Sequence, residues 1–176
     1  MNERGIIMLR RLEQKDAPLM LEWMQDETIT CNFRYPFAHM TLEKARNFIK
    51  YSFDEENQHF AIVDDRDEYL GTVSLKHISE KDHNAEFAIV MRKKAQGTGI
   101  AERATTEILR YAFGDLGLHR VYLNVLSDNV TARKLYENCG FDLEGEFKEA
   151  IRLHDQYRNL AWYAMLNWKE KSMVRM

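Results

Sequence analysis

Cysteine and proline are scarce in this chain of 176 residues, which contains two of each. Cys31 and Cys139 are far apart and lack the spacing of metal ligands. They could form one disulfide, but a sparse, unpatterned pair is more typical of reduced, buried thiols in a cytosolic protein. The six histidines form no HExxH or similar pair, so the sequence predicts no metal site.

Long hydrophobic runs are also absent. The apolar run near the N-terminus extends only from Ile6 to Leu9 before Arg10 and Arg11 end it, which is too short for a signal peptide or a membrane span. The formal net charge of -3 gives no support for a nucleic-acid surface, which needs clustered basic residues. We therefore expect a cytoplasmic protein with no membrane or nucleic-acid partner.

The remaining composition is that of an ordinary globular protein. Hydrophobic residues make up 45% of the chain and charged residues 30%, and the length suits one domain with one hydrophobic core. No repeat, low-complexity segment or linker divides the chain. Residues 1–176 are therefore predicted to form a single domain.

Hydrophobic periodicity predicts a mixed α/β domain with elements in the order β-α-α-β-β-β-α-β-α-β-β. Strands are expected at 6–12, 59–63, 69–78, 85–91, 120–125, 141–151 and 157–167. The second, third and fourth strands are separated by short polar turns, so they should form an antiparallel meander. Helices are expected to begin at Asp16, Thr41, Ile100 and Asn129, and Gly140 should end the last one.

A glycine-rich segment follows the fourth strand and directly precedes a helix. Its residues are Gln96, Gly97, Thr98, Gly99, Ile100 and Ala101. Glycine lets the backbone approach a ligand, and the unpaired amides of a helix N-terminus attract a phosphate. A lone GxG is more often only a flexible turn, and neither GxxxxGK[ST] nor a dinucleotide-binding GxGxxG unit is present. The remaining hypothesis is a diphosphate-binding loop in a mostly antiparallel sheet.

Two motifs together resemble the GNAT superfamily of acetyl-coenzyme A-dependent N-acetyltransferases. The first is Gln96-x-x-Gly99-x-Ala101. The second lies about thirty residues further on and reads Asn129-x-x-Ala132-x-x-Leu135-Tyr136-x-x-x-Gly140-Phe141. The segment 144–166 also resembles the closing hairpin of one branch, which holds ribosomal-protein N-terminal, spermidine/spermine and aminosugar-nucleotide acetyltransferases.

This resemblance implies a mostly antiparallel sheet flanked by helices, in which the parallel strands 85–91 and 120–125 splay apart. Acetyl-coenzyme A is the implied co-substrate and enters that wedge. The backbone of Ile89, Val90 and Met91 should pair with its pantetheine arm. The amides of 96–101 should hold its pyrophosphate, and Asn129 should reach it from the following loop.

The resemblance also assigns catalytic roles. It places the hydroxyl of Tyr136 beside the coenzyme sulfur, where a phenol can protonate the departing thiolate, although Tyr136 could also be a plain core aromatic. The candidate base comes from the residues themselves: alternation along the wedge strand puts Glu86 on one face with Ala88 and Val90. Apolar neighbours there would raise its pKa and let it act as a general base. It could equally be a solvent-facing carboxylate. A bulge near Ile89 or Val90 should free an amide for the thioester carbonyl.

The acceptor amine is expected between the first two helices and the closing hairpin. Trp23, Phe33, Arg34 and Tyr35 are the candidate contacts, although Trp23 also fits a helical core stripe. The stretch 31–40 contains no acidic residue and adds Arg34, which argues against a polycation. An aminosugar nucleotide is therefore the favoured acceptor, a protein N-terminus is the next, and spermidine or spermine is the alternative.

Hypotheses from other classes stay open on the sequence alone. The chain could be a non-catalytic acyl-coenzyme A-binding module that kept the wedge, although Tyr136 and Asn129 argue against this. A nucleotide-binding domain of another class ranks last, because it has no role for the second motif. The exposed closing hairpin could also pair with a copy of itself, which would make a homo-oligomer.

Overall fold

Seven strands and five helices account for most of the computed structural model, which describes residues 6–167. The strands are β1 (Met8–Arg11), β2 (Gln58–Val63), β3 (Tyr69–Ser79), β4 (Asn84–Met91), β5 (Arg120–Leu126), β6 (Asp142–Leu153) and β7 (Gln156–Leu166). The helices are α1 (Ala17–Met24), α2 (Glu27–Thr30), α3 (Leu42–Lys50), α4 (Ile100–Gly114) and α5 (Val130–Asn138). The predicted element order is confirmed, with α2 as an addition.

The strands form one sheet in the order β1-β2-β3-β4-β5-β7-β6. All neighbouring pairs are antiparallel except β4 and β5, which run parallel. The parallel pair is joined over only three positions, from Asn84 opposite Arg120 to Glu86 opposite Tyr122. Beyond Glu86 the two strands separate, so the predicted mixed sheet with a splayed parallel pair is confirmed.

Helices cover the two faces of the sheet differently. On one face, Ala104 and Ile108 of α4 pack against β3, β4 and β5 in the main core. On the other face, α1 and α3 pack against β2 through residues such as Met20, Ile49 and Ala61. Strand β4 serves both faces, because Phe87 belongs to the first cluster and Val90 packs on the second. The alternation that the sequence predicts for β4 is thus confirmed.

Side-chain caps begin two of the helices as expected. The Thr41 hydroxyl accepts a hydrogen bond from the Lys44 amide at the start of α3, and the Asn129 Oδ1 accepts one from the Ala132 amide at the start of α5. Asp16 precedes α1 but makes no side-chain cap there. Its carboxylate instead accepts hydrogen bonds from Arg10 at 2.7 and 2.9 Å, because this buried acid needs a cationic partner.

The cysteines and the short helix α2 differ from expectation. Both cysteines are free, but Cys31 is exposed and only Cys139 is partly buried, because α2 and the loop after it lie on the surface. Helix α2 is four residues long and is capped by Asp26, so it is too short to show helical periodicity in the sequence. Within residues 6–167, no helix is long and apolar enough to cross a membrane. Residues 1–5 and 168–176 of the predicted single domain lie outside the described residues.

Candidate active site

The splay of β4 and β5 creates an open strand edge inside the sheet. Pairing with β5 stops at Glu86, whereas pairing with β3 continues through Val90 and Met91. In this stretch, the backbone groups of β4 that face β5 have no strand beside them. An extended ligand with amide groups can therefore add to this edge as a short strand would.

The expected bulge near Ile89 and Val90 is not found. The register between β3 and β4 runs without a shift from Gly71 opposite Met91 to Lys76 opposite Glu86. The open backbone edge of β4 thus arises from the divergence of β5 and not from an extra residue in β4. The expected source of a free amide was wrong, but an open edge exists at the expected place.

The glycine-rich loop has the geometry of an anion-binding turn. Gly97 and Gly99 have φ angles of 70° and 78°, in the left-handed region that favours glycine. A Cβ built on either glycine would meet no atom within 4 Å, so both face open space. The first helical hydrogen bond of α4 is donated by the Arg103 amide to the Gly99 carbonyl, so the amides of residues 100–102 precede it.

Other side chains of the loop fix its shape. The Thr98 hydroxyl donates to the Ala95 carbonyl at 2.7 Å, and the Gln96 side-chain amide donates to the Met91 carbonyl at 3.3 Å. These bonds tie the loop back to the end of β4. The Gln96 main-chain amide, which was expected to hold the pyrophosphate, instead donates to the Lys93 carbonyl at 3.2 Å, so the amides from Gly97 onwards are the candidates for a ligand. The residues present therefore fit a diphosphate beside the open edge of β4.

Asn129 lies half-buried at the N-terminus of α5, next to the end of β5. Its Oδ1 accepts the Ala132 amide at 3.2 Å. The side chain thus holds the helix, and only its Nδ2 group is left to donate to another partner. Contact between Asn129 and the cofactor stays a prediction.

Tyr136 on α5 is buried beside the point where the wedge opens. Its ring centroid lies 6.0 Å from that of Phe87, the first β4 residue after the pairing with β5 stops, and 6.1 Å from that of Phe141. Its hydroxyl has no hydrogen-bond partner among residues 6–167. Burial raises the pKa of Tyr136 to about 12, so the phenol is protonated at neutral pH.

Glu86 lies at the last paired position of β4, on the opposite face of the sheet from Phe87. Apolar groups were expected around the Glu86 carboxylate, but charged and polar groups surround it instead. The Lys76 ammonium donates to its carboxylate at 3.2 Å, and the His77 Nε2 lies 3.6 Å from the second carboxylate oxygen. The expectation of an apolar environment was wrong because the register of β3 places Lys76 directly opposite Glu86.

A cleft of about 970 Å³ opens on the α1 and α3 face of the sheet and reaches β4 at Ala88, Ile89 and Val90. Aromatic and apolar side chains of α1, α3 and the intervening loop form its walls, and polar side chains of β2 and β3 form its floor. The wall residues are Met20, Trp23, Met24, Phe33, Tyr35, Phe37, Met40 and Phe48, and the floor residues are His59, Thr72, Ser74 and Lys76.

Three of the four predicted acceptor contacts meet in this cleft. Trp23 lies 6.3 Å from Phe33 and 5.2 Å from Phe37 between ring centroids, and Tyr35 lies 4.8 Å from Phe37. Trp23 also belongs to the core, where its Nε1 donates to the Tyr69 hydroxyl at 3.0 Å. Arg34 is exposed and does not line the cleft. Its placement among the acceptor contacts is not supported.

The polar floor was missed at the sequence level. His59 and Ser74 lie on adjacent strands, with the His59 Nδ1 2.7 Å from the Ser74 hydroxyl. Burial, assisted by the nearby Lys76, lowers the pKa of His59 to about 4, so its imidazole is neutral at pH 7. Only the cross-strand register brings these residues together, although alternation along β3 could have placed Thr72, Ser74 and Lys76 on one face.

Few charged groups line the cleft. Glu43 at the rim is the carboxylate, and Lys44 and Lys76 are the cations. No group of three or more potential metal ligands occurs within residues 6–167. The cleft thus combines an apolar wall, a neutral imidazole and a weak local charge, which suits a ligand with an extended alkyl or ring portion.

The closing hairpin of β6 and β7 does not line this cleft, contrary to expectation. Its strands lie at the far edge of the sheet, beyond β5, although its turn reaches the loop after α2, where the His154 Nε2 lies 2.9 Å from the Cys31 carbonyl oxygen. It exposes Leu143, Phe147 and Tyr157, each more than half accessible to solvent. Its suggested pairing with a second copy of the chain stays a prediction.

Known proteins are similar to this chain in sequence and in fold. The family model described as an acetyltransferase (GNAT) domain matches residues 7–142. The spermidine N(1)-acetyltransferase of Vibrio cholerae is 31% identical over 156 residues, which cover 88% of this chain and 89% of that protein.

Solved structures agree with this similarity. A crystal structure of spermidine N-acetyltransferase from Vibrio cholerae in complex with CoA and spermine has a TM-score of 0.84 at 28% identity, and the match covers 93% of this chain and 96% of that one. A dodecameric structure of spermidine N-acetyltransferase from Vibrio cholerae has a TM-score of 0.78 at 28% identity, covering 93% and 95% of the two chains. With the wedge, the loop and the two motifs, these matches show that the chain belongs to the GNAT family and is an acetyl-coenzyme A-dependent N-acetyltransferase.

Proposed function

We propose that this enzyme acetylates a terminal primary amine of a polyamine of the spermidine or spermine type. The observation that carries the proposal is the cleft, whose aromatic walls lead to the open edge of β4 at residues 88–90. Methylene chains pack well against aromatic faces, and an ammonium group is attracted to them. The names of the similar enzymes support this acceptor over the aminosugar nucleotide favoured from the sequence.

The two candidate catalytic groups flank the start of the wedge from opposite faces of the sheet. An alkylamine has a pKa of about 10.4 and must lose a proton before it attacks. We propose that Glu86, on the side of the cleft, accepts this proton directly or through water. Tyr136, on the other side of β4, is protonated and can donate to the departing thiolate. Bound acetyl-coenzyme A supplies the activated thioester.

An acceptor that carries phosphate is the second candidate. Lys44 and Lys76 line the cleft, and Glu43 is the carboxylate among its lining residues. This balance is less acidic than a site for a polycation ordinarily needs. A nucleotide-linked aminosugar would use both lysines, whereas spermidine would be repelled by them unless each is already paired.

A product screen separates these acceptors. The purified full chain is incubated with acetyl-coenzyme A and, separately, with spermidine, spermine, an aminosugar nucleotide or a short peptide with a free N-terminus. Mass spectrometry should show a gain of one acetyl group on the polyamines, together with release of coenzyme A. Acetylation of the aminosugar nucleotide or the peptide, with none of either polyamine, would replace the proposed acceptor.

A further inference from the structure

Two consecutive residues of β3 contact the same carboxylate. Lys76 and His77 both approach Glu86, at 3.2 and 3.6 Å. Side chains of neighbouring residues in a regular strand point to opposite faces. Here His77 has a φ angle of 51°, and the β3–β4 register gains a residue between Lys76 and Ser79. This β-bulge lets both side chains approach one carboxylate.

The Lys76 ammonium lies at the position where the ammonium group of an acceptor would need to bind. Lys76 lines the cleft, and Glu86 occupies the last position before the wedge opens, two residues from Ala88 of the cleft lining. The ammonium of lysine and the terminal ammonium of an alkylamine are the same chemical group. We propose that Lys76 competes with the acceptor's ammonium for Glu86 and thereby sets the affinity of the site for cationic acceptors. This inference rests on the proposed acceptor being an alkylamine.

If Lys76 competes with the acceptor, removal of its charge should increase the affinity for a cationic acceptor. The Lys76 side chain is 30% exposed and that of Glu86 is 18% exposed, so the pair is partly screened and its loss should not unfold the protein. Removal of the Lys76 charge frees Glu86 for the acceptor. The Lys76→Met variant should bind spermidine about three- to tenfold more tightly than the natural protein, as expected for one partly buried ion pair.

Calorimetry tests this with spermidine as the probe and full-length protein saturated with coenzyme A. The matched control is Lys44→Met, which removes the same charge from the same cleft. Lys44 is exposed and donates to the His39 carbonyl and not to Glu86. Solvent and salt screen its charge, so this change should tighten binding less than twofold. A double-mutant cycle with Glu86→Gln completes the design. In the Glu86→Gln background, Lys76→Met should no longer improve the affinity.

Three results would overturn the competition between Lys76 and the acceptor. They are unchanged or weaker binding in Lys76→Met, equal tightening in Lys44→Met, and tightening that persists without the Glu86 carboxylate. Absence of spermidine binding in every variant would also overturn it. Binding is measured here without turnover. A protein that binds spermidine as expected but never acetylates it would therefore contradict the proposed function and leave the competition between Lys76 and the acceptor intact.

Discussion

Tyr136, the proposed general acid, is the single residue whose role is easiest to test. Its ring packs against Phe87, Phe141 and Tyr163, while its hydroxyl has no partner among residues 6–167. The ring therefore contributes to stability, and the hydroxyl is available for the proposed proton transfer. Burial keeps the pKa of Tyr136 near 12, so loss of its proton does not limit activity between pH 7 and pH 9.

Replacement of Tyr136 by Phe should lower kcat about 100-fold, because general-acid catalysis typically contributes that much or more. The KM for acetyl-coenzyme A should stay within about twofold, since the ring and its packing are kept. Steady-state kinetics with spermidine measure both. Tyr111→Phe is the matched control, because the Tyr111 hydroxyl donates to Gln58 away from the wedge. An unchanged kcat in Tyr136→Phe would remove Tyr136 from the mechanism.

Among the helices and strands, the N-terminus of α4 is the element on which the proposed cofactor binding depends most. Its proposed role in binding the pyrophosphate depends on a left-handed turn that only glycine adopts without cost, followed by amides that no helical bond uses. The open space around Gly97 and Gly99 means that a side chain there would occupy the place proposed for the pyrophosphate and not that of the protein core.

A Gly99→Ala change should weaken acetyl-coenzyme A binding about tenfold or more and lower the free energy of unfolding by about 1–2 kcal/mol, the cost of a left-handed non-glycine residue. Gly114→Ala is the control. Gly114 lies in the last turn of the same helix, has an ordinary φ and also faces open space, so alanine should be neutral or slightly stabilising there. Calorimetric titration and urea unfolding check both changes. Equal cofactor affinity in the two variants would contradict the proposed loop.

The stability of the whole molecule should depend on pH through His59. This residue links β2 to β3 through Ser74 and packs edge-on against Phe48 of α3, with ring centroids 4.9 Å apart. Burial lowers the pKa of His59 from 6.5 to about 4 in the folded protein. Below pH 6.5 the unfolded chain therefore binds a proton that the folded chain does not, so the unfolding free energy falls as the pH falls.

Between pH 6.5 and pH 4 this difference should cost about 3 kcal/mol of stability. Urea unfolding at a series of pH values measures it. His59→Gln should remove most of the slope in this window, whereas His154→Gln, at an exposed histidine whose Nε2 bonds to the Cys31 carbonyl, should keep it. A slope in His59→Gln as steep as that of the natural protein would show that other groups cause the pH dependence.

Much of the fold could be predicted from local patterns, because each depends on neighbours in the sequence. The alternation along β4, the caps at Thr41 and Asn129 and the glycines before α4 all depend on residues a few positions apart. The short helix α2 was not predicted, because four residues are too few to show a helical period of apolar side chains. The site was predicted less well. Tyr136 was found by its motif, but the Lys76 partner of Glu86 was missed because that contact depends on register.

The sequence by itself determined the order of elements and the glycine turn before α4, since these follow from local backbone preference and the spacing of apolar residues. It also pointed to Tyr136, but through the family motif that this residue belongs to. The tertiary structure alone decided which groups face the acceptor. It aligned β3 with β4 so that Lys76 meets Glu86, and it set His59 beside Ser74 under the aromatic wall. Cross-strand register and the divergence of β4 and β5 are long-range properties, and no local pattern encodes them.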